Sequence, residues 1–152
     1  MAIDNSLENA LRTLILSLSS VAAMSPLPTV RPYKIAQVDF KADTGATAVV
    51  VEAPENEHQV SLDGLGGGVN SKALVTAVSE EFDAAWTLAE KIRTNGTSPS
   101  TGLSGYVGSV SGVKMSIAVD STSKGFVPYE DGSDEGYYFV RRHLTIGYIE
   151  ST

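Results

Sequence analysis

Two stretches of the chain place apolar residues at helical spacing, and strand-like segments lie between and after them. The first stretch, residues 7–18, repeats leucine, isoleucine and alanine every three or four positions, with Ser6 placed as its N-cap. The second runs from a cap at Ser79 to about Asn95, with acidic residues early, basic residues late and Gly96 just past its end. Its apolar residues fall on one side and predict a buried stripe. This stripe comprises Phe82, Ala85, Trp86, Ala89 and Ile92.

Alternating or β-branched apolar residues predict six strands in the rest of the chain. Their ranges are 33–40, 47–51, 57–63, 72–79, 113–119 and 137–149. Pro54 is expected to end the second strand, and the ranges 96–109 and 126–136 are expected to be surface loops. The resulting order, α-β-β-β-β-α-β-β, predicts a single α+β domain over residues 1–152, with a mainly antiparallel sheet and two helices packed on one face.

Composition and charge exclude several classes of function. The chain has 152 residues, enough for one ordinary core, and its lack of cysteine excludes disulfides, thiolate zinc sites and thiol nucleophiles. Its net charge of -7 repels phosphate backbones, so nucleic-acid binding is not expected as the main role. No apolar run approaches the roughly 20 residues of a membrane span, and the first residues are acidic rather than basic. We therefore expect a soluble protein that is made in the cytoplasm, is not exported and binds no membrane.

One tetrapeptide has the form of a catalytic motif. Asp43-Thr44-Gly45-Ala46 resembles the active-site sequence of retroviral-type aspartic proteases, in which two such aspartates, one from each subunit, share a proton. The same residues also suit a plain hairpin loop between two strands. Lys41 and Ala42 before the motif are not the apolar pair that buries the protease loop, so a turn is favoured. A small homodimeric aspartic protease using Asp43-Thr44-Gly45 stays open as the alternative function.

The other polar clusters have simpler interpretations. The run Gly64-Leu65-Gly66-Gly67-Gly68 is not followed by the helix that phosphate-binding loops require, so an inter-strand loop is favoured over nucleotide binding. His58 and His143 lie on separate predicted strands without carboxylates at ligand spacing. Residues 130–135 hold four carboxylates without the alternating pattern of a calcium loop, so a solvated loop is expected, with weak cation binding as the alternative. We therefore expect no catalytic residue, no metal site and no cofactor.

Several segments, taken in order, resemble one family of phage proteins. They follow the opening helix and include a strand-helix centre and a closing strand in which aromatic residues and arginines alternate. These segments are Arg31-Pro32-Tyr33, Ser61-Leu62-Asp63-Gly64, the strand 73–78, the helix 81–93, Leu103-Ser104-Gly105-Tyr106, Tyr129-Glu130-Asp131 and the strand 137–150. By their order and spacing the chain resembles the tail-completion, or tail-terminator, proteins of long-tailed bacteriophages and prophages.

The resemblance implies a structural protein of the virion tail that is not an enzyme. Members of the family form a ring, usually six-fold, that caps the tail tube and joins it to the head connector, after assembly in the bacterial host cytoplasm. The implied partners are further copies of the chain, the tail-tube protein and head connector proteins, with DNA only as passing cargo. The residues expected at the contacts are Arg31, Tyr129, Glu130, Asp131, Arg141 and Arg142.

Arg141 and Arg142 are adjacent on the last predicted strand, so their side chains are expected to point to opposite faces of the sheet. At most one of them faces the core. We expect the other to pair with a carboxylate across a subunit boundary, and the acidic residues 130–135 are the expected source of that carboxylate.

Overall fold

The described part of the chain contains three helices and six strands. The computed structural model describes residues 7–24, 27–34, 46–58, 68–94, 102–110, 113–129 and 135–149. The helices are α1 (Leu7–Ser17), α2 (Ser19–Ala22) and α3 (Phe82–Thr94). The strands are β1 (Thr29–Pro32), β2 (Ala48–His58), β3 (Gly68–Ser79), β4 (Val107–Val110), β5 (Val113–Pro128) and β6 (Gly136–Ile149). This content confirms the predicted α+β class.

The six described strands form one sheet in the order β1-β2-β3-β6-β5-β4. The β1–β2 pair is parallel, and the other four pairs are antiparallel. A parallel pair cannot be joined by a tight hairpin, so the chain makes a crossover connection between β1 and β2. The sheet is therefore mixed, with its parallel pair at the β1 edge.

The main core lies between the sheet and the helices. α1 contacts β1 and β2, α3 contacts β3 and β6, and α2 packs between α1 and α3. The apolar stripe predicted for the first helix is buried in full, from Leu7 to Leu18. Each fully buried leucine or isoleucine contributes roughly 1.5 to 3 kcal/mol relative to exposure. The largest fully buried side chains include Leu11, Ile15, Leu88, Ile92, Leu144 and Ile146.

α3 ends as the sequence predicts, but it begins at Phe82 rather than from a cap at Ser79, and its buried face is rotated from the predicted stripe. The Ser79 hydroxyl accepts a hydrogen bond from the Glu81 amide at 3.1 Å, one residue before the helix, and the Glu81 carbonyl accepts from the Ala85 amide at 3.2 Å. Ser79 therefore orders the turn that leads into α3 and does not cap its first turn. Trp86 is 37% exposed, so its predicted burial is wrong. The helix turns about 100° per residue, which places Trp86 roughly 110° from the centre of the buried face. That face comprises Ala85, Leu88, Ala89 and Ile92.

Three strand boundaries differ from prediction. β2 continues through Pro54, and the β2–β3 register shifts between Glu52 and Glu55, so the proline sits at an irregularity where a ladder hydrogen bond is not required. β2 also includes the first two residues of the strand predicted at 57–63, whose remainder lies outside the described residues. β1 ends at Pro32, and Tyr33 and Lys34, the first two residues of the strand predicted at 33–40, are not in a strand; residues 35–40 lie outside the described residues.

The last third of the chain has more strand than predicted. β4 occupies the end of the loop predicted at 96–109, and β5 extends nine residues beyond the predicted end at Val119, to Pro128. The loop predicted at 126–136 is therefore shorter. Within the described ranges, none of the helices has the length and apolar character that crossing a membrane requires.

Candidate functional site

Arg31 and Arg141 lie on the face of the sheet opposite the helices, which we call the outer face. They belong to one cross-strand row, in which Arg31 pairs with Val50, Val50 with Thr76, and Thr76 with Arg141. Neighbouring strands are about 4.8 Å apart, so the two arginines are roughly 14 Å apart along this row. The fold thus brings two of the predicted contact residues to one surface.

Tyr129 lies just beyond the end of β5. Its hydroxyl donates a hydrogen bond to the Glu80 carboxylate at 2.6 Å, and its amide donates to the Glu135 carbonyl at 2.9 Å. These contacts fix Tyr129 within its own chain. Glu130 and Asp131 lie outside the described residues, so their place at an interface stays a prediction.

Arg142 points to the opposite side, toward the helices, as strand alternation from Arg141 requires. It is 4% exposed, and its guanidinium donates to Glu90 of α3 and to the Thr122 hydroxyl of β5. The guanidinium also lies 5.3 Å from the centre of the Trp86 ring, within the range of a cation–π contact. No described residue accepts a hydrogen bond from its buried Nε. Its contacts therefore tie α3, β5 and β6 together inside the chain.

Glu90 holds two arginines at once. Besides Arg142, it accepts hydrogen bonds from the Nε and Nη2 atoms of Arg93 at 3.2 and 2.9 Å. The bonds from Arg93, opposed by partial burial and reinforced by Arg142, hold the pKa of Glu90 below its ordinary value. Burial lowers the pKa of Arg142, although a guanidinium stays protonated in proteins. Glu90 and Arg93 belong to a polar cleft of about 370 Å³, which Arg142 and Thr122 also line.

Four aromatic side chains form a continuous row from α3 across β6 to β5. Trp86 stacks on Phe82 with ring centres 6.3 Å apart, Phe82 meets Tyr138 at 5.7 Å, and Tyr138 meets Phe126 at 4.9 Å. Both ends of this aromatic row are partly exposed: the exposed fraction is 37% for Trp86 of α3 and 43% for Phe126 of β5. Lys124 of β5 lies 5.1 Å from the Trp86 ring. The row ends beside a strand edge.

Most of β5 is an open edge among the described strands. β4 pairs with β5 only from Val113 to Ser116. At the next residue, the Ile117 amide donates to the Tyr106 carbonyl at 2.9 Å and the Ile117 carbonyl accepts from the Gly105 amide at 3.1 Å. From residue 118 to residue 128, β5 pairs with β6 alone. Strand edges of this kind accept a further strand from another chain unless they are blunted. The positive charge of Lys124 discourages such pairing, whereas Phe126 offers an exposed apolar side chain for contact.

A groove crosses the outer face between β1 and the β5–β6 hairpin. Its volume is about 380 Å³, and its walls combine valines and aromatic rings with charged groups. Arg141 lies in it, where its Nε donates to the Thr76 hydroxyl at 3.1 Å and its guanidinium stands 5.3 Å from the Phe139 ring. We call this feature the outer groove. The residues that line it are Tyr33, Lys34, Val50, Glu52, Thr76, Val78, Val127, Tyr137, Phe139 and Arg141.

Tyr33 forms one wall of the outer groove in a strained backbone conformation. Its φ of 62° lies in the left-handed region, which few residues other than glycine adopt. Its amide donates to the Val51 carbonyl at 3.1 Å, and its hydroxyl accepts from the Ala53 amide at 3.2 Å and donates to Glu8 at 3.0 Å. Burial, opposed by the hydrogen bond from the Ala53 amide and reinforced by the neighbouring carboxylates, raises the pKa of this phenol. These bonds hold the end of β1 against β2 and α1.

The motifs considered for catalysis lie mostly outside the described residues. These are Asp43-Thr44-Gly45 and residues 64–67 of the glycine run. His143 contacts the Ser123 hydroxyl at 3.0 Å, and no described cluster of three or more histidine, aspartate and glutamate side chains is suited to a metal ion. The expectation that the chain lacks a catalytic or metal site is thus not tested by these residues.

No protein-family model matches the sequence, and no curated protein matches it either.

The sequence did not predict Glu90 and Thr122 as partners of Arg142. Glu90 is 52 residues away along the chain, so no local pattern predicts the contact. The one available signal was an arginine at a core-facing position of β6, which requires a partner somewhere in the fold.

Proposed function

We propose that the chain is a structural subunit of a phage or prophage tail, forming a ring that completes the tail tube and joins it to the head connector. The observation that supports this best is the edge of β5 over residues 118–128, where β6 is the only described strand that pairs with it and where the ring of Phe126 is exposed. A long unpaired edge beside an exposed aromatic side chain is a surface suited to another copy of the chain.

The described sheet ends at β4 on the side of β5 and at β1 on its other side, so β1 offers a further edge far from β5. β1 and β5 are different strands at opposite sides of one sheet, so a contact between them is head-to-tail rather than two-fold. Head-to-tail contacts of one kind close into a ring when the rotation between neighbours divides a full turn. The six-fold ring expected from the family resemblance is one such closure.

The charge of the chain agrees with a DNA conduit. Each subunit carries a net charge of -7, so a ring of such subunits repels the phosphate backbone at long range. A basic lumen would hold the genome through release of counterions and would slow its passage. DNA is therefore a passing cargo in this proposal, and the partners are the tail-tube protein and head connector proteins. The proposed location is the virion tail, after assembly in the host cytoplasm.

The mass of the protein in solution tests the proposal. We expect native mass spectrometry to show a closed oligomer of about six copies, and negative-stain electron microscopy to show rings with a central opening. The control is the same chain with Phe126→Lys, which removes the exposed aromatic contact at the open edge. A wild-type protein that stays monomeric or dimeric at all accessible concentrations would overturn the ring.

A further inference from the structure

We infer that the outer groove receives the acidic segment of a neighbouring copy, residues 130–135, with Arg141 as its anchor. This inference rests on the proposed ring and names one contact within it. Because strand alternation only sends Arg141 and Arg142 to opposite faces, the sequence left either arginine as the candidate for pairing with a carboxylate of another subunit. Arg142 is occupied by Glu90 of its own chain, so Arg141 is the arginine left to receive a partner.

The guanidinium of Arg141 is already oriented for a carboxylate. Its Nε is held by the Thr76 hydroxyl, and its plane is supported by the Phe139 ring. No described residue accepts a hydrogen bond from its two Nη atoms, which are the pair that binds a carboxylate in a bidentate manner. Because the side chain is held in place, little conformational freedom is lost on binding.

The surroundings of Arg141 strengthen its attraction for an anion. Val50 and Val78 form an apolar floor that lowers the local dielectric constant and so raises the strength of a charge pair. Lys34 adds a second positive charge to the groove, and Glu52 is the one carboxylate among the lining residues. The groove is therefore locally positive on a chain whose net charge is -7. A second copy of that chain is a complementary partner.

The acidic segment begins and ends away from the groove's anchor in its own chain. The amide of Tyr129, the residue before the segment, donates to the carbonyl of Glu135, the last residue of the segment, at the end of the β5–β6 hairpin. Arg141 lies five residues along β6 from Gly136, a distance of roughly 17 Å at the usual strand rise. Residues 130–135 hold four carboxylates, more than any other six consecutive residues of the sequence. We therefore assign it to the groove of the next subunit.

A charge exchange tests this contact. The first variant is Arg141→Glu, and the second carries Glu130→Lys, Asp131→Lys, Asp134→Lys and Glu135→Lys. Alone, each variant places like charges at every subunit contact, so we expect the ring population to fall at least tenfold. Mixed in equal amounts, the two variants restore opposite charges at every contact of an alternating ring, and rings should reappear. Lys91→Glu, which makes the same charge change on α3, should assemble like the wild type.

The outcomes separate the inference from the proposed function. Circular dichroism first establishes that each variant is folded. If Arg141→Glu is not folded, Arg141→Gln is assayed alone, where loss of the charge pair should lower the ring population, and the mixture is omitted. Wild-type rings together with variants that assemble alone, or with a mixture that does not recover, would overturn the groove contact and leave the ring standing. If the wild type is monomeric, the ring fails and the groove is tested by itself with a labelled peptide of residues 128–136. That peptide should bind roughly tenfold more weakly to Arg141→Gln than to the wild type, and equal binding would overturn the inference.

Discussion

Glu90 is the residue on which the internal charge cluster depends. It is the only described carboxylate hydrogen-bonded to the buried Arg142, and it also binds Arg93. Removing it leaves a buried guanidinium without a counter-charge, which costs more than the pair contributes. Glu90 itself is 32% exposed at its side chain, so water recovers part of that cost.

We predict that Glu90→Ala lowers the free energy of unfolding by about 2 to 3 kcal/mol, a low value for leaving a buried charge unpaired, because Glu90 itself is partly exposed. Urea unfolding followed by circular dichroism measures the change. Thr87→Ala, at an exposed position of the same helix, should stay within roughly 0.5 kcal/mol of the wild type. The double variant Glu90→Leu with Arg142→Met removes both charges and should recover most of the loss. A Glu90→Ala protein as stable as Thr87→Ala would show that Arg142 needs no partner.

The pH dependence of stability follows from the same carboxylate. The folded protein holds the pKa of Glu90 below its ordinary value of 4.5, chiefly through the hydrogen bonds from Arg93. The contribution of Glu90 is therefore present above that ordinary value and is lost as the pH falls through the lower pKa of the folded state. We expect the stability difference between wild type and Glu90→Gln to be largest near pH 7 and to shrink toward pH 3. A difference that does not change between these pH values would contradict the pairing.

Asp43 is the residue at which the structural and enzymatic interpretations differ most. If it is a turn residue, Asp43→Asn should leave unfolding within roughly 0.5 kcal/mol and leave assembly unchanged, because asparagine suits the same turn. Chemical unfolding and native mass spectrometry measure the two properties. A peptidase activity at acidic pH that disappears in this variant would instead establish the aspartic protease.

At the scale of elements, the buried face of α3 differs from the predicted one because the prediction left out Leu88 and included Trp86. The buried face is centred on Ala85, Leu88, Ala89 and Ile92, and Trp86 lies at its side against Arg142 and Lys124. The omission of Leu88 from the predicted stripe shifted the stripe toward Trp86. The exposed indole is thus a platform for two cations rather than a core side chain.

We predict that Trp86→Ala costs about 1 to 2 kcal/mol, because only part of its surface and its cation–π contacts are lost. Leu88→Ala, in the centre of the same face, should cost about 2 to 5 kcal/mol through the cavity it leaves. Trp86 is the only tryptophan of the chain, so its fluorescence reports on it alone. Iodide should quench that fluorescence readily in the folded protein. Strong protection from iodide, or a cost for Trp86→Ala that equals the cost for Leu88→Ala, would place the indole in the core.

Elements with a long regular period were predictable, and elements defined by distant pairing were not. α1, α3, β3 and β6 carry their own periodicity, and their predicted ranges agree with the structure within a few residues. β1 has four residues and includes a proline, and it exists because β2 pairs with it in parallel. The arginines of the candidate site were likewise predictable only in part. Alternation predicted that Arg141 and Arg142 face opposite ways, but only the fold shows which one Glu90 binds.

At the scale of the whole molecule, the open edge of β5 and the outer groove have different roles in the proposed ring. The open edge of β5 offers backbone groups and an aromatic ring, which give affinity with little selectivity. The outer groove offers one oriented cation, which gives register and excludes wrong partners. The charge of Lys124 on this edge discourages indiscriminate pairing, so in the proposed ring we expect a neighbouring copy to need both surfaces to dock.

These different roles predict that variants of the two surfaces weaken ring formation with different salt dependence. Phe126→Lys should weaken ring formation at every salt concentration, because it removes apolar contact area. Arg141→Gln should weaken it most at low salt, because the charge pair that it removes is screened by salt in the wild type. Native mass spectrometry or light scattering between 50 and 500 mM salt, on the order of a threefold change in Debye length, measures both. The unfolding free energy of Phe126→Lys should stay within about 1 kcal/mol of the wild type, since Phe126 is 43% exposed. If instead the ring of Phe126→Lys is intact, the open edge of β5 is not a subunit contact, and the neighbouring copy must dock through another surface.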